Sequence, residues 1–264
     1  MSFQTVPAGN GLQWLTAAVN LILKNPVPFA LMGLLIAIIA MVPLLGGLAL
    51  LILGPALYGG IIFAAREQEA GRPADFQHLF QAFREEGKLG KMLMLCLPGL
   101  AAGLLIGVLA VVFLGGALLS AGVAGASDSG AALGLGLGAG GLLFVLVALV
   151  VGLASYALTF FATPRVMLEG ADPVAAMKDS LQACLANVGA VVVYVAVLIG
   201  VVIVAGIVLG FIPILGHLAL TTAVIPVVSV ATYVAWCEVY RHEITQELPS
   251  AEAPPPPPLP SVEA

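Results

Sequence analysis

A run of 58 consecutive residues, 180–237, contains no Asp, Glu, Lys or Arg. Three more runs behave alike: 41 residues between Lys24 and Arg66, 36 between Lys91 and Asp128, and 36 between Asp128 and Arg165. A helix crosses a ~30 Å hydrocarbon core with about 20 apolar residues. The two longest runs therefore have room for two crossings each, and the two shorter ones for one crossing and part of a loop. Composition points the same way. Of the 264 residues, 61% are hydrophobic and 9% charged, against ~25% charged in a soluble domain. That excludes an ordinary soluble enzyme, a nucleic-acid binder and a disordered chain.

Each long run is broken near its middle, at Pro43-Leu44-Leu45-Gly46-Gly47 and at Pro213-Ile214-Leu215-Gly216-His217. Proline removes a backbone donor and glycine loosens the helix, so both sites are expected to be hairpin tips. The two shorter runs meet at the polar stretch Ser127–Gly130. The fold expected is an all-α membrane protein with six transmembrane helices, near 27–44, 47–65, 92–120, 139–162, 188–211 and 217–237. The alternating ~10-residue pattern of a membrane β-barrel is missing. Residues 1–247 form one domain in this reading, and 248–264, with five consecutive prolines, form a disordered cytoplasmic tail.

Orientation follows from the cations. Lys24 precedes the first helix. Arg66, Arg72, Arg84, Lys88 and Lys91 lie between the second and third, Arg165 and Lys178 between the fourth and fifth, and Arg241 after the sixth. All nine fall on one side, which the positive-inside rule makes cytoplasmic, with both termini there. Residues 1–11 lack the basic, apolar and small-residue succession of a cleaved leader, so the first helix is expected to act as the insertion signal.

An internal repeat is also legible. Leu12, Leu15, Val19 and Ile22 precede the first hairpin, and Val174, Met177, Leu181 and Cys184 precede the last with the same spacing. Asn25 and Asn187 close these two segments, and Pro55 and Pro226 break the second helix of each hairpin. In the middle, Phe76, Leu79, Phe80 and Phe83 make a third apolar stripe. Three units are expected, about 11–70, 73–164 and 172–243, each an amphipathic interfacial helix plus a transmembrane hairpin. Trp14, Phe76, Phe80 and Phe83 are the expected interfacial anchors.

The stretch from Thr163-Pro-Arg-Val-Met-Leu-Glu-Gly170 through Asp172 to Asn187 resembles an uncharacterised family of bacterial multi-pass inner-membrane proteins. Gly11-Leu-Gln-Trp14 and Lys24-Asn-Pro26 look like the start of such a protein. In layout the chain is more distantly similar to the membrane domain attached to some glycerophosphodiester phosphodiesterases, whose catalytic domain has no counterpart here. The resemblance implies six helices and a bacterial inner membrane, and no activity.

Candidate sites are few. No ionisable side chain lies deep in an expected span, which weakens an ion-coupled transporter. The polar residues there are Tyr58, Ser155, Tyr156, Thr159, Tyr194, Thr221, Thr222, Ser229, Thr232 and Tyr233. They fit interhelical hydrogen bonds, or the lining of a site for a lipid or small neutral ligand. Gly99, Gly103 and Gly107, with Gly206 and Gly210, have small-residue spacing for helix packing, within the chain or between two copies. Gly136-x-Gly138-x-x-Gly141 lacks the strand and acidic partner of a dinucleotide site. Cys96, Cys184 and Cys237 have no metal-ligand spacing, and neither they nor His78, His217 and His242 assemble catalytic machinery. No catalytic, cofactor or metal residues are expected, and no nucleic acid. The expected partners are membrane lipids and a protein partner or second copy. The function expected is a non-enzymatic membrane scaffold or lipid- and partner-interacting component. The alternative is a transporter or channel for a lipid-like or small neutral solute.

Overall fold

The computed structural model describes residues 3–123 and 140–247, and among these every regular element is helical. The chain runs through α1 (Asn10–Leu23), α2 (Pro26–Ala40) and α3 (Leu45–Glu69). A 3-10 turn (Phe76–Phe80) leads into α4 (Gln81–Arg84), α5 (Lys88–Met94) and α6 (Leu97–Val123). Then come α7 (Gly141–Phe160), a short turn (Ala162–Pro164) and a π-helical turn (Arg165–Glu169). The chain finishes with α8 (Pro173–Ala186), α9 (Val188–Leu209) and α10 (Pro213–Glu247). The expected polar loop around Ser127 and the proline-rich tail lie outside the described residues.

Five helical stretches are long and apolar enough to cross a membrane: Leu45–Glu69, Lys88–Gly116, Gly141–Glu169, Val188–Leu209 and Ile214–Tyr240. The bent pair α1–α2 raises the number to six if it is taken as one span. Here one expectation is corrected. The first crossing, expected over 27–44, is a helix of only 15 residues, about 22 Å at 1.5 Å per residue. It ends at Ala40 because Met41–Leu44 are taken up by the hairpin tip, where Leu44 adopts a left-handed φ of 60°. The third crossing is also divided. α5 stops at Met94 and α6 restarts at Leu97, where Pro98 has no N–H to give the Met94 carbonyl.

The two tips close by the same local contact. An added Cβ would fall 1.9 Å from the Ile39 carbonyl oxygen at Gly46 and 1.9 Å from that of Leu209 at Gly216. Only glycine lets the returning helix start so close to the end of the outgoing one. Gly46 N–H donates to the Val42 carbonyl and Gly216 N–H to that of Ile212.

The amphipathic segments do not lie apart from the bundle. The break between α1 and α2 turns the chain by 109°, with Pro26 starting α2. α1 then packs on α9 and α10, the 3-10 turn and α4 pack on α3, and α8 packs on α7. At each joint a side chain holds the backbone leading into another segment. Asn25 Nδ2 donates to the Ala74 carbonyl (3.3 Å), just before the 3-10 turn. Lys88 and Lys91 Nζ donate to the Met167 (2.8 Å) and Gly170 (2.7 Å) carbonyls, just before α8. Asn187 Nδ2 donates to the Gln4 carbonyl (3.2 Å) and its Oδ1 accepts from Val6 N–H (2.7 Å), just before α1. The order is cyclic, so the N-terminal segment closes a ring of three joints.

Candidate functional site

α1 turns inward a face that shares only Leu15 with its aliphatic row. Leu12 and Val19 are 48% and 39% exposed, while Gly11, Trp14, Leu15, Ala18 and Leu21 are buried. α8 repeats this: Val174 is 44% exposed, and Pro173, Ala176, Ser180, Ala183 and Cys184 face inward. Beside lipid an aliphatic side chain gains little from facing the protein, so small residues take the close helix contacts instead.

Trp14 is accordingly corrected from a surface anchor to a core residue, 1% exposed. Its ring lies against Phe160 and Tyr194, with centroids 6.3 and 6.1 Å away, and its indole Nε1 donates to Glu238 Oε2. Asn10 Nδ2 donates to the other oxygen of that carboxylate. Phe80 and Phe83 are 37% and 40% exposed, Phe76 is half-buried against the core, and the three rings meet edge to face. Leu79, between them in sequence, points inward.

The glycines divide in the same way. Among the described residues a Cβ at Gly103 or Gly107 would meet nothing within 4 Å, so that part of the α6 stripe is not at a close helix contact there. Gly99 meets Leu51 Cδ1 at 3.3 Å, Gly206 barely reaches Leu220, and Gly210 caps α9 against its own last turn. The close crossings are at glycines that sequence spacing did not single out. Gly11 abuts the Ala190 carbonyl, Gly60 that of Leu79, and Gly33 that of Thr222 (2.1–2.2 Å from an added Cβ). Isolated glycines in apolar runs carry no periodic signal, which is why they escaped notice.

The most distinctive feature is a cavity of about 360 Å³ between α3, α6, α7 and α10. Leu50, Leu51, Ile62, Leu95, Val224 and Val228 supply apolar wall. Six of the ten polar span residues converge on it: Tyr58, Ser155, Tyr156, Thr159, Ser229 and Thr232, joined by Thr163. Among the described residues no Asp, Glu, Lys, Arg or His lines it. Four of the hydroxyls donate back into their own helix. Thr159 Oγ1 reaches the Tyr156 carbonyl (3.1 Å), Thr163 that of Thr159 (2.8 Å), Ser229 that of Ile225 (2.9 Å), and Thr232 that of Val228 (2.9 Å). Tyr156 shares a hydrogen bond with Tyr194, hydroxyl to hydroxyl, at 3.3 Å. The Tyr58 hydroxyl makes no hydrogen bond among the described residues.

Pro55 and Pro226, expected to break their helices, lie inside α3 and α10, which run on through them, and the four prolines have separate places. Pro43 sits in its tip, and Pro213 is the first residue of α10. Pro55 lines the cavity together with Leu51, whose carbonyl it cannot serve as donor. Pro226 likewise leaves the Thr222 carbonyl without its helical donor, but Gly33 of α2 covers that oxygen. The expected equivalence of the pair is thus broken: Pro55 lines a cavity, and Pro226 packs against Gly33 of α2.

At the charged end of the bundle, Arg165 is 2% exposed and holds the π-helical turn to α8. Its guanidinium donates to Glu169 (3.1 Å) and Asp179 and lies 5.2 Å over the Tyr240 ring. Every charge in this cluster is paired, and the arrangement is a clamp. Of the cysteines, Cys184 is 5% exposed, and burial pushes its thiol up to about 12, far from a reactive thiolate.

A family of unknown function, DUF7544, has a family model that matches residues 75–247. The chain belongs to this family. The DUF7544 match opens at Asp75, the cap of the 3-10 turn, and takes in three of the four cavity helices, α6, α7 and α10. No curated protein and no solved structure matches the chain. DUF7544 membership carries no assigned activity, and these comparisons lend no support to the phosphodiesterase-like layout or to a bacterial source.

Proposed function

We propose that the chain is a polytopic, non-enzymatic component of a bacterial inner membrane whose bundle holds one uncharged, lipid-like molecule between α3, α6, α7 and α10. The observation that carries this reading is the convergence of seven hydroxyl residues, and no charged side chain, on one apolar cavity. A cavity of this size is within the ~300–1,000 Å³ of small-molecule sites. The outer faces of α6, α7 and α9 suit lipid. In the best 18-residue windows of the spans containing α6 and α7 no residue is buried, and in that of α9 only 6% are. The matching tip contacts of Gly46 and Gly216 and the cyclic joints favour three repeated units in one orientation, with the nine cations cytoplasmic.

Orientation is tested by fusions. Alkaline phosphatase joined after Ser127 is expected to be active in the periplasm, and joined after Glu247 inactive; the reverse pattern contradicts the assignment. Ligand holding is tested by native mass spectrometry of protein extracted from its own membrane in mild detergent. One neutral lipid adduct per chain is expected. Only annular phospholipid, in scattered stoichiometry, contradicts it.

A second reading, a carrier for a small neutral solute, draws on Pro55, a proline within a cavity-lining helix, because interrupted helices are common at transporter sites. The absence of a carboxylate from the lining disfavours coupling to an ion gradient. Reconstituted protein is therefore expected to show no uptake driven by protons or sodium.

A further inference from the structure

The cavity's polar groups are unequal in kind, and this narrows what can occupy it. A serine or threonine hydroxyl has one proton and two lone pairs. Thr159, Thr163, Ser229 and Thr232 have each committed that proton to a backbone carbonyl of their own helix. Thr159, Thr163 and Ser229 can offer a ligand an acceptor oxygen, while that of Thr232 faces the Tyr156 and Tyr194 hydroxyls. Donors are fewer: among the described residues Tyr58 and Ser155 have uncommitted hydroxyls, Tyr156 is engaged with Tyr194, and no cationic side chain lines the wall.

An acidic headgroup would meet a wall of acceptors with no counter-charge, and desolvating its charge there would be uncompensated. An ester or ether oxygen could accept from Tyr58 or Ser155 but would leave the threonine and serine acceptors unused. A hydroxyl donates into the acceptors and takes one bond back from Tyr58. We infer that the cavity selects the alcohol end of an uncharged amphiphile, a free hydroxyl on an apolar tail, over acids, phosphate esters and capped esters. This rests on the ligand-holding reading above and adds the ligand's chemical class.

The experiment uses the full chain in detergent micelles with four defined probes. These are 1,2-dioleoylglycerol, its 3-acetyl derivative, dioleoyl phosphatidic acid and oleyl alcohol, with binding read by native mass spectrometry and by thermal shift. Dioleoylglycerol is expected to bind at least tenfold more tightly than its acetylated form, as one lost hydrogen bond in an apolar site requires. Phosphatidic acid should bind more weakly still. Oleyl alcohol separates the two sources of the hydroxyl: binding equal to that of dioleoylglycerol assigns recognition to the hydroxyl alone, and weaker binding to a glycerol backbone as well. The shape-conserving double variant Thr159→Val with Ser229→Ala should reduce the preference for the alcohol over the acetate without changing affinity for the acetate. Equal binding of alcohol and acetate would overturn the inference and leave the ligand-holding reading intact. So would tighter binding of phosphatidic acid. If no probe binds, or if binding survives a Thr159→Phe substitution that fills the cavity, both fall.

Discussion

Gly33→Ala is expected to abolish assembly of the bundle, or to destabilise it by well over the ~1–3 kcal/mol of ordinary overpacking. A single methyl group there would sit 2.1 Å from the Thr222 carbonyl oxygen and 2.9 Å from Pro226 Cγ. The obstacle is backbone and a proline ring, so no rotamer change relieves it. The substitution also uncovers the carbonyl that Pro226 leaves without its helical donor. The internal comparison is Gly103→Leu, a much larger change at a glycine with nothing within 4 Å of an added Cβ. Thermal denaturation in detergent should leave Gly103→Leu close to the parent and move Gly33→Ala far below it. Equal effects would mean that α2 and α10 do not cross where the structure puts them.

Trp14→Ala is expected to cost about 3–5 kcal/mol, the range for removing a large buried aromatic side chain. The loss has two parts that a second variant separates. Trp14→Phe keeps most of the packing against Phe160 and Tyr194 but removes the indole N–H that Glu238 accepts. That leaves the carboxylate with Asn10 as its side-chain donor, at a cost of about 1–3 kcal/mol. Denaturation midpoints of the two variants should therefore differ clearly. A Trp14→Ala protein as stable as the parent would place this indole in the lipid interface instead.

These two positions also mark the limits of what the sequence discloses. Charge-free runs located the long helices, because lipid leaves few alternatives to an apolar helix, although α2 stops four residues before the expected 44 and α10 runs ten past the expected 237. The tips were legible from Pro43 and Pro213, and the glycines that shape them, Gly46 and Gly216, sit in the same short motifs. Facing was not legible. Trp14 was read as an interfacial anchor of an amphipathic helix, yet it is buried with Gly11 while Leu12 and Val19 are exposed. When both sides of a helix are apolar, hydrophobicity does not decide facing. The same difficulty hid Gly33 and drew attention to Gly103. The span hydroxyls were recognised as polar residues in apolar helices, and a neutral lining was among their readings. Their convergence depends on bringing Tyr58 of α3, Thr159 of α7 and Ser229 of α10 together, which no local pattern encodes.

The most direct test of the central claim is photolabelling with a diazirine-bearing diacylglycerol in native membranes, followed by peptide mapping. The cavity predicts saturable labelling on α3 near Leu50–Tyr58, on α7 near Ser155–Thr163 and on α10 near Val224–Thr232, lost in Thr159→Phe. Labelling spread over the lipid-facing residues of α6 and α9, unsaturable and unchanged by that substitution, would contradict a ligand held inside the bundle.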